Sequence, residues 1–190
     1  MKMKNWMKAV IGVVVVLALL AIPFITSYNS LVNAESAVDS QWANVESKLQ
    51  RRYDLIPNLV NSVKGSMTQE KEVFGAIADA RSKLSGAKTV DDKVKANNEL
   101  ESAVSRLLVV VENYPDLKSN QNVQGLMDEL AGTENRISVE RDRYNKAVQT
   151  YNNKVKRFPG SIIANMTGFE PRAFFTAVDG ADKAPSVNFD

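Results

Sequence analysis

Cysteine and histidine are both absent from this 190-residue chain. Without cysteine there are no disulfides, no thiolate nucleophile and no Cys-ligated zinc or iron–sulfur site. Without histidine the commonest general base and the commonest metal ligand are missing together. An excess of either charge is missing too. The 24 basic and 22 acidic residues leave a formal net charge of +2 with no basic tract, so nucleic acid is not an expected partner. A carboxylate-only metal site needs clustered Asp and Glu, and the sequence holds no such cluster. Convincing period-two alternation is also lacking, which argues against half-buried strands. The expectation is therefore a chain that is not an enzyme, with no catalytic, cofactor-binding or metal residues and no cofactor.

What is present begins with a long apolar run. From Ala9 to Ile25 the chain carries no charge, and about 17 residues lie at the short end of what spans a hydrocarbon core. Lys2, Lys4 and Lys8 precede the run, Trp6 suits the headgroup level, and no Lys or Arg follows until Lys48. That asymmetry predicts a cytoplasmic N-terminus over 1–8, a transmembrane helix over 9–26, and everything after it outside the cytoplasm. A cleaved signal peptide is the alternative, with Val32-Asn33-Ala34 as its processing site. It would cut through the helical pattern that starts at Tyr28. Pro23 marks a kink or the end of the anchor.

Two heptad seams follow. One steps through Tyr28, Leu31, Glu35, Val38, Trp42, Val45, Leu49, Arg52, Ile56, Leu59 and Val63, alternating three and four. The other runs from Val123 through Met127, Leu130, Glu134, Ile137, Arg141, Tyr144, Val148, Tyr151 and Val155 to Phe158, where Pro159-Gly160 stops it. Two shorter helical patterns lie between them. One is marked by Met67, Phe74, Ile77 and Leu84; the other by Val94, Leu100, Val104, Leu107 and Val111 and stopped before Pro115. The predicted fold is all-α: a transmembrane helix, then an elongated antiparallel four-helix bundle over 27–160 with two long and two short helices. The middle pair would flank only part of the long pair. Residues 161–190, apolar but rich in Gly and Pro, read as an irregular tail that packs on the stalk, lies on lipid or pairs with another subunit. Pro57 predicts a kink near Tyr53.

The residues from Tyr28 to Val32, Gln41-Trp42, and above all Leu49-Gln50-Arg51-Arg52-Tyr53-Asp54-Leu55-Ile56-Pro57-Asn58-Leu59-Val60 carry a resemblance. Glu112 to Lys118, Thr133-Glu134-Asn135, Arg143-Tyr144-Asn145, Tyr151-Asn152 and Phe158-Pro159 extend it over nearly the whole chain. The sequence resembles the LemA family of bacterial membrane proteins, which includes MamQ. The resemblance implies an anchored helical bundle and no known reaction. Family members often carry His-Glu where this chain has Gln69-Glu70, so no role of that histidine transfers.

Ten residues stand out as structural or interaction candidates: Glu35, Trp42, Arg51, Arg52, Asp54, Pro57, Asn58, Glu134, Arg141 and Tyr144. Arg51 and Arg52 could grip a carboxylate or phosphate. The plainer reading has Arg52 satisfying a seam carboxylate, Pro57 shaping a kink and Asn58 capping freed carbonyls. Charges on a seam fix register at a cost in stability, and a charged binding groove is the sharper alternative. The aromatic residues Tyr28, Trp42, Tyr144 and Tyr151 read as core. An antiparallel register in which opposed residue numbers sum to about 186 sets Arg52 against Glu134, Arg141 near Glu46, and Glu35 against the Tyr151 hydroxyl. Apolar area left on Leu31, Trp42, Val148 and Tyr151 predicts a homo-oligomer or a stalk covered by the tail. The expected role is a membrane-anchored scaffold or adaptor of the bacterial inner membrane, its bundle periplasmic, meeting the lipid bilayer and other membrane or envelope proteins. An extracytoplasmic sensor or ligand-binding bundle acting through a membrane partner is the alternative.

Overall fold

A computed structural model describes residues 5–176. Six helices follow in order: α1 (Asn5–Lys64), α2 (Lys71–Gly86), α3 (Val90–Val111), α4 (Pro115–Lys118), α5 (Gln121–Lys156) and α6 (Gly160–Thr167). Among the described residues there is no strand, so the protein is all-α. The predicted tail residues Val187 and Phe189 and the lysines Lys2 and Lys4 lie outside the described residues.

The apolar run and the first seam form one helix. α1 passes Pro23 and Pro57 without a break in assignment. Past Pro23, the Thr26 hydroxyl donates to the carbonyls of Ile22 and Pro23, at 2.9 and 3.1 Å. Through Ile25 the described side chains of this helix are exposed, with Leu19 66% and Ile22 61% accessible. From Leu31 onward the seam positions turn inward. One helix here is long and apolar enough to cross a membrane.

Local chemistry explains the other ends. The Thr89 hydroxyl accepts from Asp92 N–H at 3.1 Å and donates to the Asp92 carboxylate at 2.7 Å, a reciprocal cap that starts α3. Pro115, expected only to stop α3, also opens the single-turn α4, where its missing N–H costs nothing. Asn120 Oδ1 accepts from the N–H groups of Asn122 and Val123, at 2.9 and 3.3 Å, and starts α5. The tail expected to be irregular is helical over Gly160–Thr167. Ile162, Ile163, Ala164 and Met166 sustain those eight residues, about two turns, and Gly168 ends them in the left-handed region at φ 82°. Gly160 is required where the chain turns back, because an added Cβ would run into the Lys154 carbonyl oxygen.

The chain divides into two compact units. The first comprises Met1–Trp42 with Arg143–Ala173, the second Ala43–Asp142 with Phe174–Asp190. α2 and α3, at 16 and 22 residues, are too short to flank the whole of the 60- and 36-residue helices. In the second unit Ile56, Leu59 and Val63 of α1 meet Ile77 of α2, Leu100 and Leu107 of α3, and Val123 and Leu130 of α5. These aliphatic side chains are all at most 4% exposed, and burying each contributes about 1.5–3 kcal/mol before entropy. In the first unit α1 and α5 run antiparallel: Ser30 meets Lys154, and Trp42 meets Tyr144.

Candidate functional site

The second unit holds a buried ionic cluster built on Arg52, which is 1% exposed. Its Nη1 donates to Glu134 at 2.7 Å and lies 3.6 Å from Glu101. Its Nη2 donates to the side-chain and backbone oxygens of Asn97, at 3.1 and 3.3 Å. Asn97 is itself fixed by donating to the Lys93 carbonyl at 2.8 Å. Arg141 donates to the same Glu101 at 2.9 Å, and Phe175 stacks on its guanidinium at 4.4 Å. Two arginines and two glutamates, contributed by α1, α3 and α5, therefore interlock. The Nε–H groups of Arg52 and Arg141 are buried without an acceptor, so desolvation is only partly offset. The net stability such a cluster adds is therefore small, while loss of one partner is costly.

The expected opposition of Arg52 and Glu134 is present. The expected partner of Arg141 is not: Glu46 instead pairs with Lys93, because α3 places a cation beside it. The Arg51–Arg52 pair does not converge on one ligand. Arg51, with its side chain 57% exposed, pairs with Glu129 at the surface, while Arg52 is consumed inside. Asp54 accepts from Gln50 at 2.8 Å on the same helix face, Pro57 is half-buried, and Asn58 is exposed with its carbonyl taking the Ser62 hydroxyl at 2.8 Å. These contacts are those of a packed helix with a solvated edge.

The first unit uses the chain after α6 as a strap. Tyr151, fully buried, donates its hydroxyl to the Glu170 carbonyl at 2.9 Å, and Tyr144 donates to the Ala173 carbonyl at 3.0 Å. Between them Asn152 grips the Arg172 peptide from both sides, donating to its carbonyl and accepting from its N–H, both at 2.8 Å. Arg172 then donates to Glu35 at 2.9 Å and lies 3.7 Å from Asp39. Phe169 packs edge-on against Tyr28, with centroids 5.9 Å apart, and Trp42 does the same with Tyr144 at 5.4 Å. Burial, then the Glu35 carboxylate, holds the Tyr151 phenol above its ordinary value. Burial pulls the Arg172 guanidinium down, but the Glu35 bond and the Asp39 and Glu35 charges outweigh it and leave it raised.

Glu35 therefore meets Arg172, and not the Tyr151 hydroxyl. The tail also changes the exposure expected of the seam: Leu31, Val148 and Tyr151 are 1%, 0% and 0% accessible, and Trp42 is half-buried. Phe158, expected to close the seam, is 81% exposed, since the turn at Pro159-Gly160 carries the chain away. Asn97, Glu101, Asn152 and Arg172 were not foreseen. Asn97 was visible in principle, as a polar residue three after Val94 and three before Leu100 on the apolar stripe of α3. Among the described residues no three acidic side chains gather in a group able to hold a metal ion.

The chain is 26% identical to Magnetosome protein MamQ 2 of Paramagnetospirillum magneticum, over 91% of this chain and 73% of that one. It is 26% identical to Magnetosome protein MamQ of Magnetospirillum gryphiswaldense, over 84% and 69%. It is 24% identical to Protein LemA of Metamycoplasma hominis, over 78% and 68%. The sequence model of the LemA family matches residues 41–189, and the chain belongs to the LemA family.

Proposed function

We propose that this protein is a non-enzymatic, membrane-anchored helical scaffold or adaptor of the bacterial envelope, with its two units outside the cytoplasm. One observation carries the reading: the exposed apolar run of α1 continues as the same helix into the packed seam, so the anchor and the scaffold are one element. Lys8 before the run, together with Lys2 and Lys4, favours a cytoplasmic N-terminus. The charged side chains that do gather are bonded to each other, which supports a structural role for them. Self-association keeps a place in this proposal, but without the exposed seam that first motivated it.

A cysteine-free chain makes the test direct. Ser119, exposed between α4 and α5, is replaced by cysteine and treated with a membrane-impermeant maleimide in intact cells or spheroplasts. Labelling before lysis is expected; labelling only after lysis contradicts the orientation. Purification from detergent-solubilised membranes then reads the scaffold role, with envelope proteins or a second tagged copy co-purifying in fixed ratio. A chain that purifies alone contradicts it.

One feature favours a ligand-binding bundle as the second reading. A groove of about 560 Å³ opens in the second unit, lined by residues that include Glu46, Tyr53, Leu84, Lys93 and Asn97. A ligand there would have to displace the Glu46–Lys93 pair.

A further inference from the structure

Beyond Ile25, the large exposed apolar side chains of the first unit are Tyr28, Phe158, Ile162 and Met166. Single exposed apolar residues are ordinary on any protein. These four lie at one end of the unit. Lys154 donates to the Ser30 hydroxyl at 2.8 Å, which pins the last turn of α5 five residues past Ile25. At 1.5 Å per residue that is about 7.5 Å along α1. α5 runs antiparallel to α1 here, so the four residues from Lys154 to Phe158 return most of that rise. Thr26, Ser27 and Ser30 accordingly line the same cavity as Phe158, Pro159 and Gly160.

α6 then presents an apolar face that the other described residues leave exposed. Ile163 and Ala164 are 3% and 1% exposed and face the unit, whereas Ile162 and Met166 are 52% and 70% exposed on the other side. Phe158 at 81% and Met166 at 70% are more accessible than Leu19 at 66% inside the apolar run itself. Lys156 and Arg157, both exposed, flank the patch with positive charge.

We propose that Phe158 and the Ile162–Met166 face of α6 form a second membrane contact, seated in the interface of the same bilayer that α1 spans. It rests on the anchor reading above. The occupant is a lipid surface because the patch continues from the exposed end of the span at its own level, and because cations border it. Short amphipathic helices lie in this way with apolar side chains below the headgroups and Lys or Arg among them. The contact would hold the first unit against the membrane at two points and fix the direction in which α1 leaves the bilayer.

The test uses the full chain in vesicles of phosphatidylcholine and phosphatidylglycerol, with single cysteines carrying an environment-sensitive fluorophore. Ile162→Cys and Met166→Cys probe the face, Gln149→Cys serves as an exposed control on α5, and Val16→Cys reports the span. Acyl chains brominated near the headgroup are expected to quench the labels at 162 and 166, chains brominated near their ends to quench that at 16, and both to leave 149 unchanged. Quenching at 16 without quenching at 162 and 166 overturns this inference and leaves the anchor standing. No quenching at 16 overturns the anchor reading, and this inference with it. Labels at 162 and 166 that are shielded, resist brominated lipid and become exposed when protein is diluted into excess lipid would assign the face to a second copy.

Discussion

The two units face the same difficulty, a charged residue on an apolar seam, and bring different third parties to it. In the second unit the charge is Arg52, and the answer comes from α3 through Asn97 and Glu101 as well as from Glu134 on α5. In the first unit the charge is Glu35, and the answer comes from the strap through Arg172. Arg52 is 1% exposed, while the Arg172 and Glu35 side chains are 43% and 31% exposed. Removing a partner from the first setting strands a buried charge. Removing one from the second leaves a charge that water can reach. One ionic contact therefore lies among packed helices, and the other ties a segment without helix to the surface of its unit.

The largest effect should come from Arg52→Ala. It empties the space of a buried side chain and takes the shared donor from buried Asn97 and from the partly exposed Glu101 and Glu134, and should destabilise the second unit by about 2–4 kcal/mol, read from denaturant or thermal unfolding in mild detergent. Glu134→Ala should cost less, because Glu101 remains 3.6 Å from the same guanidinium. Equal losses would show that Glu101 does not share the charge.

Asn152→Ala comes next. It deletes both part-buried bonds to the Arg172 backbone, a loss of about 1–3 kcal/mol for the two together. Limited proteolysis should then cut between 168 and 175 while the second unit stays resistant. Cleavage appearing first in α2 or α3 would contradict the division into units.

Arg172→Ala should cost under about 1 kcal/mol and lose its effect in high salt, as expected of a partly exposed pair. The smallest effect is on pH. The Tyr151 phenol is held above its ordinary value by burial and by Glu35, so the fold favours the neutral form. Its contribution is complete below about pH 10 and fades as pH climbs through the raised value. Amide exchange over 168–173 should accelerate there in the native chain, and Tyr151→Phe should be fast already at neutral pH and lack that alkaline step.

Much of the helical architecture was legible because an apolar side chain every three or four residues announces itself. The Arg52–Glu134 opposition followed from the seams alone, since both residues lie on the two long helices being aligned. The partners of Arg141 and Glu35 did not follow, for one reason in both cases. A register between two helices says nothing about a third segment, and Glu101 and Arg172 each sit on one. The strap was hidden for a different reason. Tyr144, Tyr151 and Asn152 bind its backbone, so residues 170–173 need no periodicity of their own. α6 was missed because its eight residues, about two turns, are too few for a helical repeat to show.

A pair of double-mutant cycles puts the comparison to its most direct test: Arg52 with Glu134 in one unit, Arg172 with Glu35 in the other, both measured by equilibrium unfolding of the full chain. The account predicts a coupling above about 1 kcal/mol for Arg52 with Glu134, insensitive to salt, and a smaller, salt-screened one for Arg172 with Glu35. Couplings of equal size, or a larger one at Arg172, would contradict it.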